Sequence, residues 1–122
     1  MYAERHVVTI VTDGSGDGTG YTPVVTGRLI SIRYVKTDYS NGVDVVVTAE
    51  SSGQVLWDED DVNASATRLP RQPTHDTLGV AALYAAGGAA VLDHAVLAQD
   101  RVKIVVAAGG AAKTGAFHVV IA

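Results

Sequence analysis

Short runs of β-branched residues recur along this chain, and glycine, proline or Asn-Gly sequences separate them. The clearest runs are ERHVVTIVT at 4–12, LISIRYV at 29–35, VDVVVTAES at 43–51, RVKIVVAA at 101–108 and TGAFHVVIA at 114–122. Because β-branched side chains favour the pleated backbone of a strand, these runs predict strands. Roughly six to eight strands with turns at short intervals are typical of an all-β fold, either an antiparallel sandwich or a barrel.

Residues 28–50 are predicted to form a hairpin. On its first strand three apolar or aromatic side chains recur at period two, and these are Ile30, Ile32 and Tyr34. Such alternation places them on the buried face of a half-buried strand. Asn41-Gly42 follows, a dipeptide that favours the type I′ turn between two antiparallel strands. We expect Val45 or its neighbours on the second strand to share the core with the first.

The last two runs predict a second hairpin, with its turn in the glycine-containing connection after residue 108. The middle of the chain is predicted to be a long, ordered surface excursion over residues 58–77, which are polar and contain two prolines. Residues 78–92 leave two structures open. Alanine favours a short helical turn there, whereas Gly87-Gly88 breaks a helix and favours extended chain.

Composition limits the functions open to the chain. A length of 122 residues suits a single domain, expected over 1–122, and 18% charged residues with a positive mean hydropathy suggest a surface hidden against neighbours. The formal charge of −4 removes the electrostatic basis for general nucleic-acid binding. With no cysteine, no run that could span a bilayer and no basic and apolar leader, we expect no disulfide, no membrane partner and no secretory signal.

The stretch DGSGDGTG at 13–20 begins like a calcium-binding loop. Asp13, Ser15 and Asp17 fill the first, third and fifth ligand positions, but Val24 stands at the twelfth, where a bidentate Glu is needed. Strands rather than helices are predicted on both sides. We therefore expect no metal here, and instead a β-connection that stays mobile or is fixed by contact with a partner.

Other candidate catalytic motifs fail on their spacing. GGAAKTG at 109–115 has alanine where a phosphate-binding loop needs glycine before its lysine, and a strand follows it rather than a helix. His75 and Asp76 could orient a nucleophile such as Ser65, but nothing in the spacing selects that set, and no nucleophile-elbow sequence is present. We therefore expect no enzyme activity and no cofactor.

Two histidines in the first and last predicted strands, His6 and His118, could share a metal ion if those strands pair. Two imidazoles without nearby carboxylates make a poor zinc site. The sequence therefore favours two separate histidines on strand surfaces.

Three stretches of the chain resemble small structural proteins of tailed bacteriophages. They are DGSGDGTGYTPVVTGRLISIRY at 13–34, LPRQPTHDTLGVAALYAAGG at 69–88 and DRVKIVVAAGGAAKTGAFHVVI at 100–121. Among such proteins the chain is most similar to capsid decoration, or cement, proteins. The resemblance implies an antiparallel β-sandwich of jelly-roll type with long surface loops, bound outside the phage head.

The resemblance also implies partners and a location. The partners would be the major capsid protein and further copies of this chain, which would form a homo-oligomer on the capsid lattice. The protein would be made in the cytoplasm of the bacterial host and end on the capsid surface of the virion. Two other functions stay open: a neck or tail component of the virion, and a β-sandwich module that binds a cell surface or carbohydrate.

Two long loops, residues 14–21 and 58–76, are expected to make the contacts with these partners. The candidate interface residues are Asp13, Asp17, Asp58, Asp61, Arg68 and Arg71. We expect the two arginines, on a segment stiffened by proline, to pair with carboxylates of a neighbouring subunit.

Overall fold

The computed structural model describes residues 2–122 of the chain. This part contains eleven β-strands, joined by turns and loops, and no helix. The strands are β1 (Glu4–Val11), β2 (Gly18–Tyr21), β3 (Val25–Lys36), β4 (Asp44–Ala49), β5 (Val55–Glu59), β6 (Ala66–Arg68), β7 (Gln72–Pro73), β8 (Leu92–Asp93), β9 (Val96–Asp100), β10 (Val102–Ala107) and β11 (Thr114–Ile121). The predicted all-β class is confirmed.

Two antiparallel sheets enclose the core, in the manner of a β-sandwich. Sheet A has the order β1-β11-β3-β6, with β9 also paired to β3, and sheet B has the order β2-β10-β4-β5. Four antiparallel pairs are nested along the chain: β4 with β5, β3 with β6, β2 with β10 and β1 with β11. The chain therefore behaves as one long double-stranded ribbon that bends across the core and divides its strands between the two sheets.

The predicted hairpin over residues 28–50 is wrong, because β3 lies in sheet A and β4 in sheet B. The Asn41-Gly42 turn exists, but only Gly42 has a positive φ, of 91°, so the type I′ geometry is not formed. The amide of Gly42 donates instead to the side-chain oxygen of Asn63, 2.7 Å away. The turn thus carries the chain from one sheet to the other.

The predicted second hairpin is wrong for the same reason. β10 pairs with β2 and β4 in sheet B, whereas β11 pairs with β1 and β3 in sheet A. Period-two alternation identifies a strand and its buried face, but it is equally compatible with any antiparallel partner. The short connection after β10 therefore bridges the sheets instead of closing a hairpin.

The core draws its side chains from both sheets. The side chains with no exposed surface are Leu29, Ile32, Tyr34, Val43, Val45, Val47, Val102, Ile104, Val106, Phe117 and Val119. The predicted core positions Ile32, Tyr34 and Val45 are confirmed. Ile30 is only half-buried, because the β3–β11 register shifts there and Leu29 takes the inward position opposite Ile121.

The glycine-rich stretch 13–20 is ordered by its own chain, contrary to the expectation of a mobile or partner-fixed loop. The Asp13 carboxylate accepts the amides of Ser15 and Asp17 at 2.8 and 3.1 Å, which closes the turn. β2 follows and pairs with β10. A Cβ on Gly20 would lie 2.7 Å from Cγ1 of Val8, so glycine lets β1 pack directly over β2 and close that side of the core.

Candidate interaction surface

Residues 72–93 comprise β7, β8 and the long connection between them, contribute no residue to the core, and are called the arm here. Its base is the β7–β8 pair. Beyond the base three segments meet through backbone hydrogen bonds: Thr74 N donates to Val91 O, Ala82 N to Thr74 O, and Val91 N to Ala82 O, at 2.9, 3.0 and 3.0 Å. The arm is therefore a regular β-structure that is held by hydrogen bonds between its own backbone segments.

Two tight turns complete the arm. In the first, the Asp76 carboxylate accepts the amides of Leu78 and Val80 at 2.9 and 3.0 Å, and a bridge joins His75 to Ala81. In the second, a bridge joins Leu83 to Ala90, and the Gly88 amide donates to Ala85 O at 2.8 Å. The helical alternative for residues 78–92 is thus wrong, because paired turns rather than i to i+4 bonds satisfy this backbone.

The arm exposes apolar side chains and buries none. No residue from 72 to 94 is buried, and its large apolar residues are exposed by 88% at Leu78, 76% at Tyr84, 62% at Val80, 52% at Leu92 and 44% at Leu83. Burial of one such side chain contributes about 1.5–3 kcal/mol. Several exposed apolar side chains concentrated in one segment of a folded domain indicate a site of interaction.

The sequence prediction of interface segments missed this apolar surface. It selected residues 14–21 and 58–76, whereas the exposed apolar residues begin at Leu78. The available signal was the weakly polar run from Leu78 to Leu92, which has neither the period of a helix nor that of a strand. When apolar residues follow neither period, they do not line up on one face of a helix or strand that could pack against the core of the same domain.

Arg68, one of the predicted interface arginines, has an intramolecular partner. Its Nε and Nη2 donate to the two carboxylate oxygens of Glu59, each at 2.9 Å, and its guanidinium lies 5.8 Å from the ring centroid of Trp57. Hydrogen bonding between the two groups raises the pKa of Arg68 and lowers that of Glu59. The acidic run, residues 58–61, thus supplies a partner for Arg68 from within the same chain.

Arg71 also bonds within its own chain. Its Nη1 donates to the carbonyl oxygens of Pro70, at 2.7 Å, and of Ile30 in β3, at 3.3 Å. These bonds tie the segment just before the arm to sheet A. The pairing of Arg68 and Arg71 with a neighbouring subunit stays a prediction, but each would have to exchange or share a bond that it already makes.

The four predicted interface aspartates lie at separate places. Asp13 and Asp17 belong to the turn before β2, and the Asp13 carboxylate is used by that turn. Asp58 faces outward from β5 opposite Val46. Asp61 is exposed after β5, with a φ of 55°, and its amide donates to the Asp44 carboxylate. The structure brings the acidic run to one edge of sheet B and leaves the glycine turn apart from it.

A shallow groove of about 450 Å³ lies between the end of β5 and β6. Its polar lining includes the Glu59–Arg68 pair and Ser65, whose hydroxyl accepts the Lys36 amide at 2.9 Å. No histidine lines it. His75 bonds to the backbone oxygen of Asp76 while the Asp76 carboxylate closes a turn in the arm, so these two residues do not orient Ser65.

The paired first and last strands do not create a histidine site. In the β1–β11 register His118 lies opposite Val7, and His6 lies opposite Val119. Because Val119 is buried and Val7 is exposed, the two imidazoles are on opposite faces of sheet A. Within residues 2–122, no group of three or more His, Cys, Asp or Glu side chains is arranged to hold a metal ion.

Calcium and EDTA are expected to leave the melting temperature unchanged within error. One oxygen of Asp13 already accepts two backbone amides, which stabilise the carboxylate and lower its pKa. The loop also lacks the bidentate Glu that a calcium site of this type needs. Thermal melts with excess calcium or EDTA test this, with magnesium as the control. Binding at a hundredfold excess over Kd would add about 2.7 kcal/mol of stability, so a calcium-specific rise would contradict the prediction.

No protein-family model matches this chain, and a search of curated proteins finds no relative. Residues 2–122 contain no helix with the length and apolar character needed to cross a membrane.

Proposed function

We propose that this chain is a non-enzymatic structural protein of a tailed-phage virion, a decoration protein that binds the outside of the head and stabilises it. The major capsid protein and further copies of the chain would be its partners on the capsid surface. The sequence resemblance motivates the virion assignment. The observation that supports an assembly role most strongly is the exposed apolar arm on a well-packed sandwich.

The arm supports this role because its own energetics favour a partner. A small β-structure without a core is marginal in water, since backbone pairing alone barely offsets the entropy of ordering it. The sandwich would supply a rigid base, and the arm would bury its apolar side chains against the shell. Modest contacts of this kind, repeated over a lattice, add through multivalency.

We further propose that the sandwich is of jelly-roll type. The four nested antiparallel pairs support this, since they divide eight strands equally between two sheets. In this arrangement the arm is an insertion between β6 and β10. Such an insertion changes the surface without changing the ribbon that forms the core.

Aspartate at the two most exposed apolar arm positions, in the double variant Leu78→Asp/Tyr84→Asp, is expected to weaken attachment to the shell by at least about a hundredfold. The estimate takes about 1.5–3 kcal/mol for each apolar side chain no longer buried in the complex. The melting temperature should stay near wild type, because neither side chain is buried in the free protein. Co-sedimentation with heads that lack the protein measures the attachment.

The matched control is the double variant Val24→Asp/Val96→Asp, which introduces the same two charges at residues that are 63% and 69% exposed outside the arm. Attachment of the control should equal that of wild type. Full occupancy by the double arm variant would remove the arm from the interface. Binding of wild type to purified necks, tails or glycans but not to heads would contradict the decoration role and support the corresponding alternative.

A further inference from the structure

The outer face of sheet A carries basic and apolar side chains but no acidic one. Three cross-strand rows form it, and they are Arg5–Val120–Ser31, Val7–His118–Arg33–Thr67 and Thr9–Ala116–Val35. Their neighbours along each strand point into the core, so these side chains face outward. This basic face is notable on a chain whose formal charge is −4.

The basic groups at the centre of the face lack acidic partners. Arg33 is exposed, and its guanidinium makes no hydrogen bond or ion pair with any residue in the range 2–122. His118 stands directly opposite it, and Arg5 Nη1 lies 3.4 Å from Nδ1 of His118. Side chains directly opposite on paired strands have Cβ atoms about 5 Å apart, so the three groups form one basic patch.

Carboxylates without partners lie on the other sheet. Asp58 faces outward from β5 in sheet B, and Asp60 follows that strand. Both are exposed, and neither carboxylate makes a hydrogen bond or ion pair with the residues that the structure describes. Glu59, between them, is occupied by Arg68. Asp58 therefore presents a free carboxylate on the outer face of sheet B, and the exposed Asp60 adds a second one to the acidic segment 58–60.

We propose that the basic face of sheet A binds the acidic segment 58–60 of a second copy of this chain. The two surfaces are complementary in charge, and the sandwich holds them on different sheets, so the contact joins unlike surfaces of two copies. A contact of this type propagates from copy to copy into rings or open chains. Exposed apolar side chains beside the patch, such as Val7, gain burial in the same contact.

A second copy fits this face better than a nucleic acid does. The net negative charge of the protein repels a polyanion at long range, whereas the acidic segment of another copy brings a local carboxylate pair. The inference extends the proposed assembly role and assigns the copy-to-copy contact to the sheets, leaving the arm for the shell. Purified protein alone tests it, so its failure would leave attachment through the arm untouched.

The test is charge reversal on each surface, followed by sedimentation velocity at about 0.05 M salt, where the screening length exceeds that at physiological ionic strength. Wild type should associate with increasing concentration, and salt at about 0.5 M should weaken the association. Arg33→Glu alone, and Asp58→Lys/Asp60→Lys alone, should each weaken it about tenfold or more. An equimolar mixture of the two variants should associate again, because each then meets the opposite charge.

Rescue by mixing separates a direct contact from damage to the fold, since a misfolded variant cannot be rescued by its complement. Arg28→Glu, on the same strand but outside the three rows, is the control for charge reversal and should associate as wild type does. Because Arg28 is half-buried and interacts with Asp93, the melting curve of this control is recorded as well. A monomeric wild type at all concentrations, unaltered association of either variant, or no rescue in the mixture would overturn the proposal. So would a result in which Arg33→Glu changes only the binding of a DNA oligonucleotide or of the shell.

Discussion

Alanine in place of Gly115 is expected to destabilise the fold by about 3 kcal/mol, the upper end of the usual cost of overpacking. Gly115 lies in β11, and the ring of Tyr39 covers it. A Cβ at this position would overlap the ring, with Cδ2 and Cζ both 2.9 Å away. The ring cannot easily retreat, because Tyr39 is buried and its hydroxyl donates to the carbonyl oxygen of Ile10 at 2.6 Å.

Gly14→Ala is the matched control for this substitution. No heavy atom would lie within 4 Å of a Cβ on Gly14, and its φ is not positive. Urea denaturation of both variants should show a lowered midpoint for Gly115→Ala and a midpoint near wild type for Gly14→Ala. Equal midpoints for the two variants would contradict the assigned packing of Tyr39 on Gly115.

Phenylalanine in place of Tyr39 is expected to cost about 1–3 kcal/mol, because the carbonyl of Ile10 would lose its buried partner. Burial raises the pKa of Tyr39 to about 12, so its hydroxyl stays protonated and able to donate at neutral pH. The substitution keeps the ring that stacks on Tyr34 and covers Gly115. The loss therefore reports the hydrogen bond rather than the packing.

Tyr34→Phe, in the same aromatic cluster, is expected not to lower stability, in contrast to Tyr39→Phe. Tyr34 has no exposed surface, stacks between Tyr39 and Phe117, and its hydroxyl has no hydrogen-bond partner. Removal of an unsatisfied buried hydroxyl is expected to leave the free energy of unfolding unchanged or to raise it by about 1 kcal/mol. Chemical denaturation measures both variants. A loss at Tyr34→Phe as large as that at Tyr39→Phe would contradict these assignments.

Local sequence pattern predicted the strands but not their partners. Alternation on β3 and β4 identified Ile32, Tyr34 and Val45 as core residues, and all three are buried. Alternation does not say which strand lies alongside, so sequential neighbours were paired although β3 and β4 belong to different sheets. The inward position of Leu29 depends on a register shift opposite β11, which no pattern within β3 contains.

The contacts of the glycines and charged residues in the predicted site also could not be predicted from local sequence. Gly18 and Gly20 suggested a flexible loop, whereas they lie beneath Ile10 and Val8, at contacts that only the packed sheets define. Arg68 was expected to pair with a carboxylate of a neighbouring subunit, whereas Glu59 of its own chain already accepts its hydrogen bonds. Arg33 gave no local signal, because its significance comes from the strands placed on either side of it.

The nested pairing also determines when this protein can fold during synthesis. β11 lies between β1 and β3 in sheet A, yet the ribosome makes it after all the other strands. Until β11 emerges, β1 lacks its ladder partner, and β3 has one edge open. Pairings so distant in sequence are slow to form, because a long loop must close before any contact compensates for it. The nascent chain therefore carries unpaired edges until β11 is inserted, and correct folding depends on protection of those edges meanwhile.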